Sequence, residues 1–213
     1  MAIGDSYITS DELKAYASNI TDAEHDPIIA AILPAASRAI ERWCGRQFND
    51  AGSASARVYT PISPDLVFVD DFSTTTGLIV KTDTTADATY ATTISSSYYT
   101  VEPLNGVIDG RPGYPYRRIA VHSGESMPMP AAGPPSVQVT ARWGWAAVPA
   151  DVKQACLIEA TRMFRRMFTP DGLLAETTAG VAGYAVRVPT DLDRTAQMLL
   201  APYRASAVLV GAV

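Results

Sequence analysis

The chain has 213 residues, 47% of them hydrophobic and 18% charged, and a formal net charge of −5. That length suffices for one domain with a real core, or for a small domain that carries a large insertion. The acidic balance argues against a free-standing nucleic-acid binder, since such domains are usually basic. The sequence contains no run of 18 apolar residues, so we expect no transmembrane helix.

The compartment can be predicted from the first residues and from the cysteines. No basic region followed by an apolar run opens the chain, so we expect no signal peptide. Cys44 and Cys156 are the only cysteines, and both lie in apolar helical patterns. Two buried thiols are commoner than a disulfide in such a setting, which favours folding in the cytoplasm.

Two helices are predicted before residue 51. Thr9 and Glu12 match a capping box for a first helix that runs to about Ala17. Asp26 is expected to cap the second helix, and Gly45 to end it in the left-handed conformation. The second helix has an apolar face that recurs every three or four residues: Ile28, Ile29, Ile32, Leu33, Ala36, Ile40 and Trp43.

The composition changes between Ala51 and about Trp145, where β-branched and aromatic runs alternate with turn residues. This pattern is typical of short antiparallel strands. The turn pairs Asn105-Gly106 and Asp109-Gly110 support it. The predicted strands are Arg57–Thr60, Leu66–Val69, Leu78–Lys81, Tyr98–Val101, Arg118–Val121 and Val137–Trp143.

Two more helices are predicted after the strands. The third begins near Pro149 and Asp151, and the fourth follows Thr190. We therefore predict an α+β fold in which residues 1–51 and 146–213 form a small helical bundle and residues 52–145 form a β-rich antiparallel insertion. The third helix has a clear apolar face: Val152, Ala155, Cys156, Ala160, Met163, Phe164 and Met167.

Several ordered motifs resemble the head–tail connector (adaptor) family of long-tailed bacteriophages. In that family an opening capped helix, a long helix that ends in an aromatic–Cys–Gly–Arg-like turn, and a Gly-Trp strand end before a Pro-Asp helix recur in this order. The matching segments are Tyr7–Lys14, Ala35–Ser37, Ile40-Glu41, Trp43–Phe48, Arg142–Trp145, Val148–Ala155 and Leu199–Arg204.

This resemblance implies a structural protein of the virion neck, with no enzymatic activity and no cofactor. Its members form a ring, typically of twelve subunits, with helices around a central channel. The ring docks under the portal and contacts the next neck protein, a head–tail stopper or a tail protein, and packaged double-stranded DNA passes through it. The resemblance also implies assembly in the host cytoplasm and no membrane association.

No catalytic or metal site is predicted from the residue pattern. The sequence places no nucleophile or carboxylate at a spacing from His25 or His122 that would indicate a catalytic site, so structural or surface roles are favoured. Cys44 is expected to be a packed thiol. Asp70-Asp71 could bind a divalent cation, but the spacing of an EF-hand loop is absent and a solvated turn is the better interpretation.

The candidate contact residues lie in the C-terminal third. Arg162, Arg165 and Arg166 cluster in the last turns of the third helix, where cations complement the helix dipole. They could contact DNA phosphates or acidic partner residues, and we favour a partner protein because a sliding channel should not hold phosphates tightly. Apolar Val208, Leu209 and Val210 follow the last charged residue, and they predict a tail that docks on the portal or, alternatively, folds back on the helices of its own chain.

A competing hypothesis keeps the same fold and assigns it another role. In it the β-rich insertion is a binding module for a carbohydrate or a protein, and the helices only support it. The mass of the protein in solution separates the two, because a connector forms a high-order ring or stays monomeric until it meets the portal.

Overall fold

The computed structural model describes residues 3–17, 23–129, 134–167, 173–174, 186–187 and 191–205. It is an α+β structure that divides into two compact units. One unit contains the large sheet and spans Asn49–Ala147. The other contains the helices and consists of Gly4–Phe48 and Val148–Val213.

The β unit is a curled antiparallel sheet in which six strands follow the order β4-β3-β7-β2-β6-β5, and β1 pairs with the other side of β7. Phe72 of β2 pairs with Trp143 of β7 and joins the two halves of the sheet. The strands are β1 (Asp50–Tyr59), β2 (Leu66–Phe72), β3 (Ile79–Thr82), β4 (Thr92–Ile94), β5 (Tyr99–Glu102), β6 (Tyr116–Val121) and β7 (Val137–Gly144).

Alternate residues of the central strands form one apolar core inside the curl. In β7 the residues at odd positions from Val137 to Trp143 are buried, whereas Gln138, Thr140 and Arg142 face outward. This is the two-residue period of a half-buried strand. The core collects side chains from both halves of the sheet: Val67, Phe72, Val80, Ile94, Ile119, Val121, Met127, Val137, Val139, Ala141 and Trp143.

The helical unit is built around α3, which packs against α1, α2 and α4. Burial on so many sides explains why α3 is apolar at most of its inward positions. The helices are α1 (Ser10–Tyr16), α2 (Asp26–Cys44), α3 (Ala150–Arg166) and α4 (Arg194–Leu200). Among the described residues, no helix is both long and apolar enough to cross a bilayer.

The caps predicted for the first two helices are largely confirmed. Thr9 and Glu12 form the reciprocal capping box of α1, and Gly45 ends α2 with φ +66°. Asp26 was expected to cap α2 and does not. It is the first residue of the helix, because a 3-10 turn at Ala23–His25 precedes it, and its carboxylate pairs instead with Lys14.

Three further sequence predictions are corrected. The N-cap of α4 is Asp193, not Thr190, since the Asp193 carboxylate accepts from the backbone N–H groups of Thr195 and Ala196. The strand β4 was missed because its Thr-rich run is short. Asp70 and Asp71 lie within β2 and not in a solvated turn.

The predicted α+β class with an antiparallel β-rich region is confirmed. The prediction that residues 1–51 and 146–213 form a helical bundle separate from an insertion at 52–145 remains a prediction about independent folding. Between α3 and α4 the structure describes only a short pairing of β8 (Leu173–Leu174) with β9 (Val186–Arg187).

Candidate partner-contact surfaces

The Tyr7 side chain connects three segments of the helical unit. It is fully buried. Its hydroxyl donates to Glu41 Oε1 and accepts from the backbone N–H of Phe48 at 3.1 Å. Burial, and then the hydrogen bond to Glu41, raise the pKa of the Tyr7 hydroxyl well above its usual range, so it remains a neutral donor.

The chain before α1 is held against α2 by two polar side chains. Ser37 Oγ accepts from the backbone N–H of Tyr7 at 3.0 Å and donates to the carbonyl of Leu33 at 2.9 Å. Arg38 donates to the carbonyls of Gly4 and Asp5, at 2.7 and 3.2 Å, while it pairs with Glu41. The opening segment is therefore fixed by hydrogen bonds as well as by apolar burial.

Phe48 connects Tyr7 to the last of the resembling motifs, Leu199–Arg204. Its ring meets Tyr7 edge-on at 5.8 Å and Tyr203 edge-on at 6.0 Å. The Tyr203 hydroxyl lies 3.1 Å from Asp151 Oδ2, in the first turn of α3. Arg204 covers the Trp43 ring at 4.9 Å. Residues from four of the resembling motifs thus meet within the helical unit.

The Trp-Gly-Trp motif at the end of β7 has a backbone explanation. Gly144 has φ +96°, and a Cβ built there would lie 1.8 Å from the carbonyl oxygen of Asn49. That carbonyl accepts from the N–H of Trp145 at 3.2 Å. Only glycine permits both the conformation and this close approach. Both indoles are buried, Trp143 against Phe72 and Trp145 against Tyr114.

Arg162 is engaged inside the helical unit. It pairs at 2.7 Å with Glu159, whose side chain is only 2% exposed, and it also donates to the carbonyl of Asp191. The second oxygen of Glu159 accepts from the backbone N–H of Asp193 at 3.2 Å. Arg162 therefore neutralises a buried carboxylate that ties α3 to the start of α4. Any contact of Arg162 with a partner would be additional to this role.

Arg165 and Arg166 occupy the last turn of α3, where Arg165 is exposed and Arg166 is partly buried. This turn is the most cationic part of the helix, as the sequence predicts. Val208, Leu209 and Val210 lie outside the described residues. Their contact with a partner, like that of the three arginines, stays a prediction.

The reactive residue types occupy structural positions. Cys44 and Cys156 are free buried thiols, and burial raises the pKa of each to about 12. Such thiols are protonated at neutral pH and are poor nucleophiles. The His25 ring packs 5.4 Å from Phe164. No group of three or more His, Cys, Asp or Glu residues that could hold a metal ion occurs in the described ranges.

The fold is similar to that of chains in the neck of gene transfer agent (GTA) particles. One neighbour belongs to the neck of an empty GTA particle, computed with C6 symmetry, with TM-score 0.53 and 20% identity over 96% of this chain and 93% of the neighbour. A second, from the neck of a native GTA particle computed with C12 symmetry, has TM-score 0.50 and 18% identity over 99% of both chains.

A chain of the virion of the native GTA particle gives TM-score 0.53 at 18% identity, and the match covers 99% of this chain and 96% of that one. At these identities the likeness shows the fold. It spans almost the whole of each chain, so both the helical and the β-rich segments take part. No protein-family model and no curated protein sequence matches the chain.

Sequence reasoning missed the polar network that holds the opening segment and the buried role of Glu159. Ser37 and Glu159 are polar residues at positions that face the helical core. The apolar period marks those faces, but it cannot show that a polar residue on the face has a partner from elsewhere in the chain. Ser37 and Arg38 carry no signal for a contact with a segment about 30 residues away.

Proposed function

We propose that this chain is a structural, non-enzymatic subunit of the neck of a phage-like particle, located in the virion at the head–tail interface. The observation that carries the proposal is the likeness of fold to GTA neck chains over at least 93% of each chain. The ordered connector-like motifs support it independently, because four of them meet around Phe48 and Tyr203 within the helical unit.

The subunit would be one of twelve copies in a closed ring between the portal and the tail-side neck proteins, a stopper or a tail protein. The C12 and C6 symmetries with which the neighbouring necks were computed support a cyclic arrangement. DNA would pass through the ring without being held. The net charge of −5 suits that role, because each neutralised phosphate would add affinity and slow the passage.

The experiment that tests this function uses particles produced by a strain in which the gene for this chain has been deleted. A neck subunit is required to join heads to tails, so the deletion should yield DNA-filled heads and free tails that are not joined. Restoring the full chain should restore joined particles, and an epitope-tagged chain should be labelled at the neck in electron micrographs. Normal joined particles from the deletion strain would contradict the proposal.

Portal docking is proposed for the last turn of α3 and the tail. Arg165 and Arg166 would pair with acidic portal residues, and Val208, Leu209 and Val210 would fill an apolar groove. The backbone N–H of Ala205 donates to the Cys44 carbonyl at 2.7 Å, so the informative truncation removes residues 206–213 and retains Ala205. Normal melting with lost portal binding supports docking. Binding that survives, or folding that is lost, rejects it.

A further inference from the structure

Three arginines gather at the C-terminal end of α2. Arg42, in the last turn of the helix, is exposed, and Arg46 lies just beyond the helix. Arg204, also exposed, covers the half-buried Trp43 ring at 4.9 Å. Burial raises the pKa of the Cys44 thiol to about 12, and the nearby positive charges of Arg46 and Arg204 oppose that rise. We call Arg42, Arg46 and Arg204 the α2-end cluster.

The carboxylates at the same end of the helical unit have other partners. Glu41 is held within the unit by an ion pair and a hydrogen bond. Asp151, in the first turn of α3, lies 3.1 Å from the Tyr203 hydroxyl. Among the described residues, neither Arg42 nor Arg204 forms an ion pair with a carboxylate. The described part of the chain therefore leaves this end with surplus positive charge.

The α2-end cluster lies far from the cationic last turn of α3, because α2 and α3 pack side by side in opposite directions. His25, just before α2, packs 5.4 Å from Phe164 near the end of α3. Ser37, in the second half of α2, lies 3.6 Å from Cys156 in the first half of α3. The 19 residues of α2 span about 28 Å at 1.5 Å per residue. The two cationic groups are thus at opposite ends of the helical unit.

We propose that the α2-end cluster binds a segment rich in Asp and Glu on a partner protein. The helical unit then has two cationic contact points at opposite ends, one at this cluster and one at the last turn of α3. The proposal rests on the proposed function, because a neck subunit lies between two neighbouring components of the neck and must contact both of them.

The chemistry of the cluster favours carboxylates over DNA phosphates. A guanidinium group pairs with a carboxylate through two parallel hydrogen bonds. Arg204 is oriented in advance by its stacking on Trp43, so less side-chain freedom is lost when it binds. Tight binding to duplex DNA requires many phosphate contacts, whereas this cluster supplies three arginines in a chain with a net charge of −5. A short acidic segment needs far fewer contacts.

Charge reversal at the two exposed arginines tests the surface in particles. In the deletion strain, a chain with both Arg42→Glu and Arg204→Glu should yield about tenfold fewer joined particles than the wild type, because like charges would face each other across the contact. The charge-preserving pair Arg42→Lys and Arg204→Lys should restore joining. Arg111→Glu is the matched control, since it reverses an exposed arginine of the β unit, and it should also restore joining.

Folding is measured separately on each purified chain by a circular-dichroism melt. If charge reversal lowers the melting temperature, the neutral pair Arg42→Gln and Arg204→Gln takes its place in the same comparison. A folded variant that lacks both positive charges and still restores joined particles in normal numbers overturns the proposal.

The class of partner is tested with two labelled probes at low ionic strength, a short poly-L-glutamate peptide and a duplex DNA of equal charge. The full chain should bind the peptide, and the folded reversal variant should bind it about tenfold more weakly, as followed by fluorescence anisotropy. Peptide binding that is unchanged by the reversal, or DNA binding that alone depends on the two arginines, overturns an acidic protein partner. If the wild-type chain fails to restore joined particles, the proposed function fails, and the peptide comparison still decides whether the cluster binds carboxylates.

Discussion

The Tyr7 hydroxyl joins the opening segment of the chain to Glu41 and to the backbone of Phe48. Replacement by phenylalanine keeps the ring and its packing but leaves the buried backbone N–H of Phe48 and the partly buried Glu41 carboxylate without this hydroxyl. Losing such a partner typically costs about 1–3 kcal/mol. We expect Tyr7→Phe to lower the free energy of unfolding by that amount in denaturant titrations. Tyr16→Phe, at a side chain that is 45% exposed, should change it by less than about 0.5 kcal/mol.

Gly144 tests the backbone explanation of the Trp-Gly-Trp motif. In Gly144→Ala the added methyl group would meet the Asn49 carbonyl, so the end of β7 must shift and the β unit should melt at a clearly lower temperature. Gly113→Ala is the matched control, because Gly113 has a similar φ of +91° but nothing within 4 Å of its Cβ position. Equal melting temperatures for the two variants would contradict the close-approach argument.

The arginines of α3 should differ in how much each contributes to the free energy of unfolding. Removing Arg162 leaves the buried Glu159 carboxylate without its ion-pair partner, a change that typically costs about 3–5 kcal/mol. Arg162→Ala should therefore unfold at much lower denaturant concentration, whereas Arg165→Ala, at an exposed position, should stay close to the wild type. If both variants have wild-type stability, the buried pair does not support the junction of α3 and α4.

At the scale of elements, most of the strands and helices could be predicted from the sequence, because hydrophobic periods and turn residues are local signals. The short β4 lacked such a signal. The start of α4 was misplaced because both Thr190 and Asp193 can cap a helix, and the sequence does not show which hydroxyl or carboxylate meets the free backbone N–H groups. The contacts of Tyr7, Ser37 and Glu159 are long-range and were not predictable.

The division into units yields a prediction about independent folding. Removing only residues 53–135 would leave β7 with its apolar side chains uncovered, so the better deletion replaces Asn49–Ala147, the β unit, with Gly/Ser linkers of graded length. With a linker that is long enough, the remaining chain should stay soluble and retain helical circular dichroism. Loss of the helical signal with every linker would show that the helices cannot fold without the β unit.

At the scale of the whole molecule, we propose that the chain is a part of a larger assembly. The GTA neck chains share its fold over at least 93% of each chain. A binding module for a carbohydrate or a protein would have no need of a high-order oligomer. The stoichiometry of the native protein therefore separates the two roles more directly than any single substitution.

The decisive measurement is the mass of the full chain in solution by native mass spectrometry, over a range of concentrations, alone and with a portal ring. If the chain forms a ring, we expect a discrete closed species. For twelve copies of 22.7 kDa its mass is about 272 kDa, formed by the chain alone or on the portal. A chain that stays at 22.7 kDa at every concentration, and also in the presence of the portal, would contradict the ring.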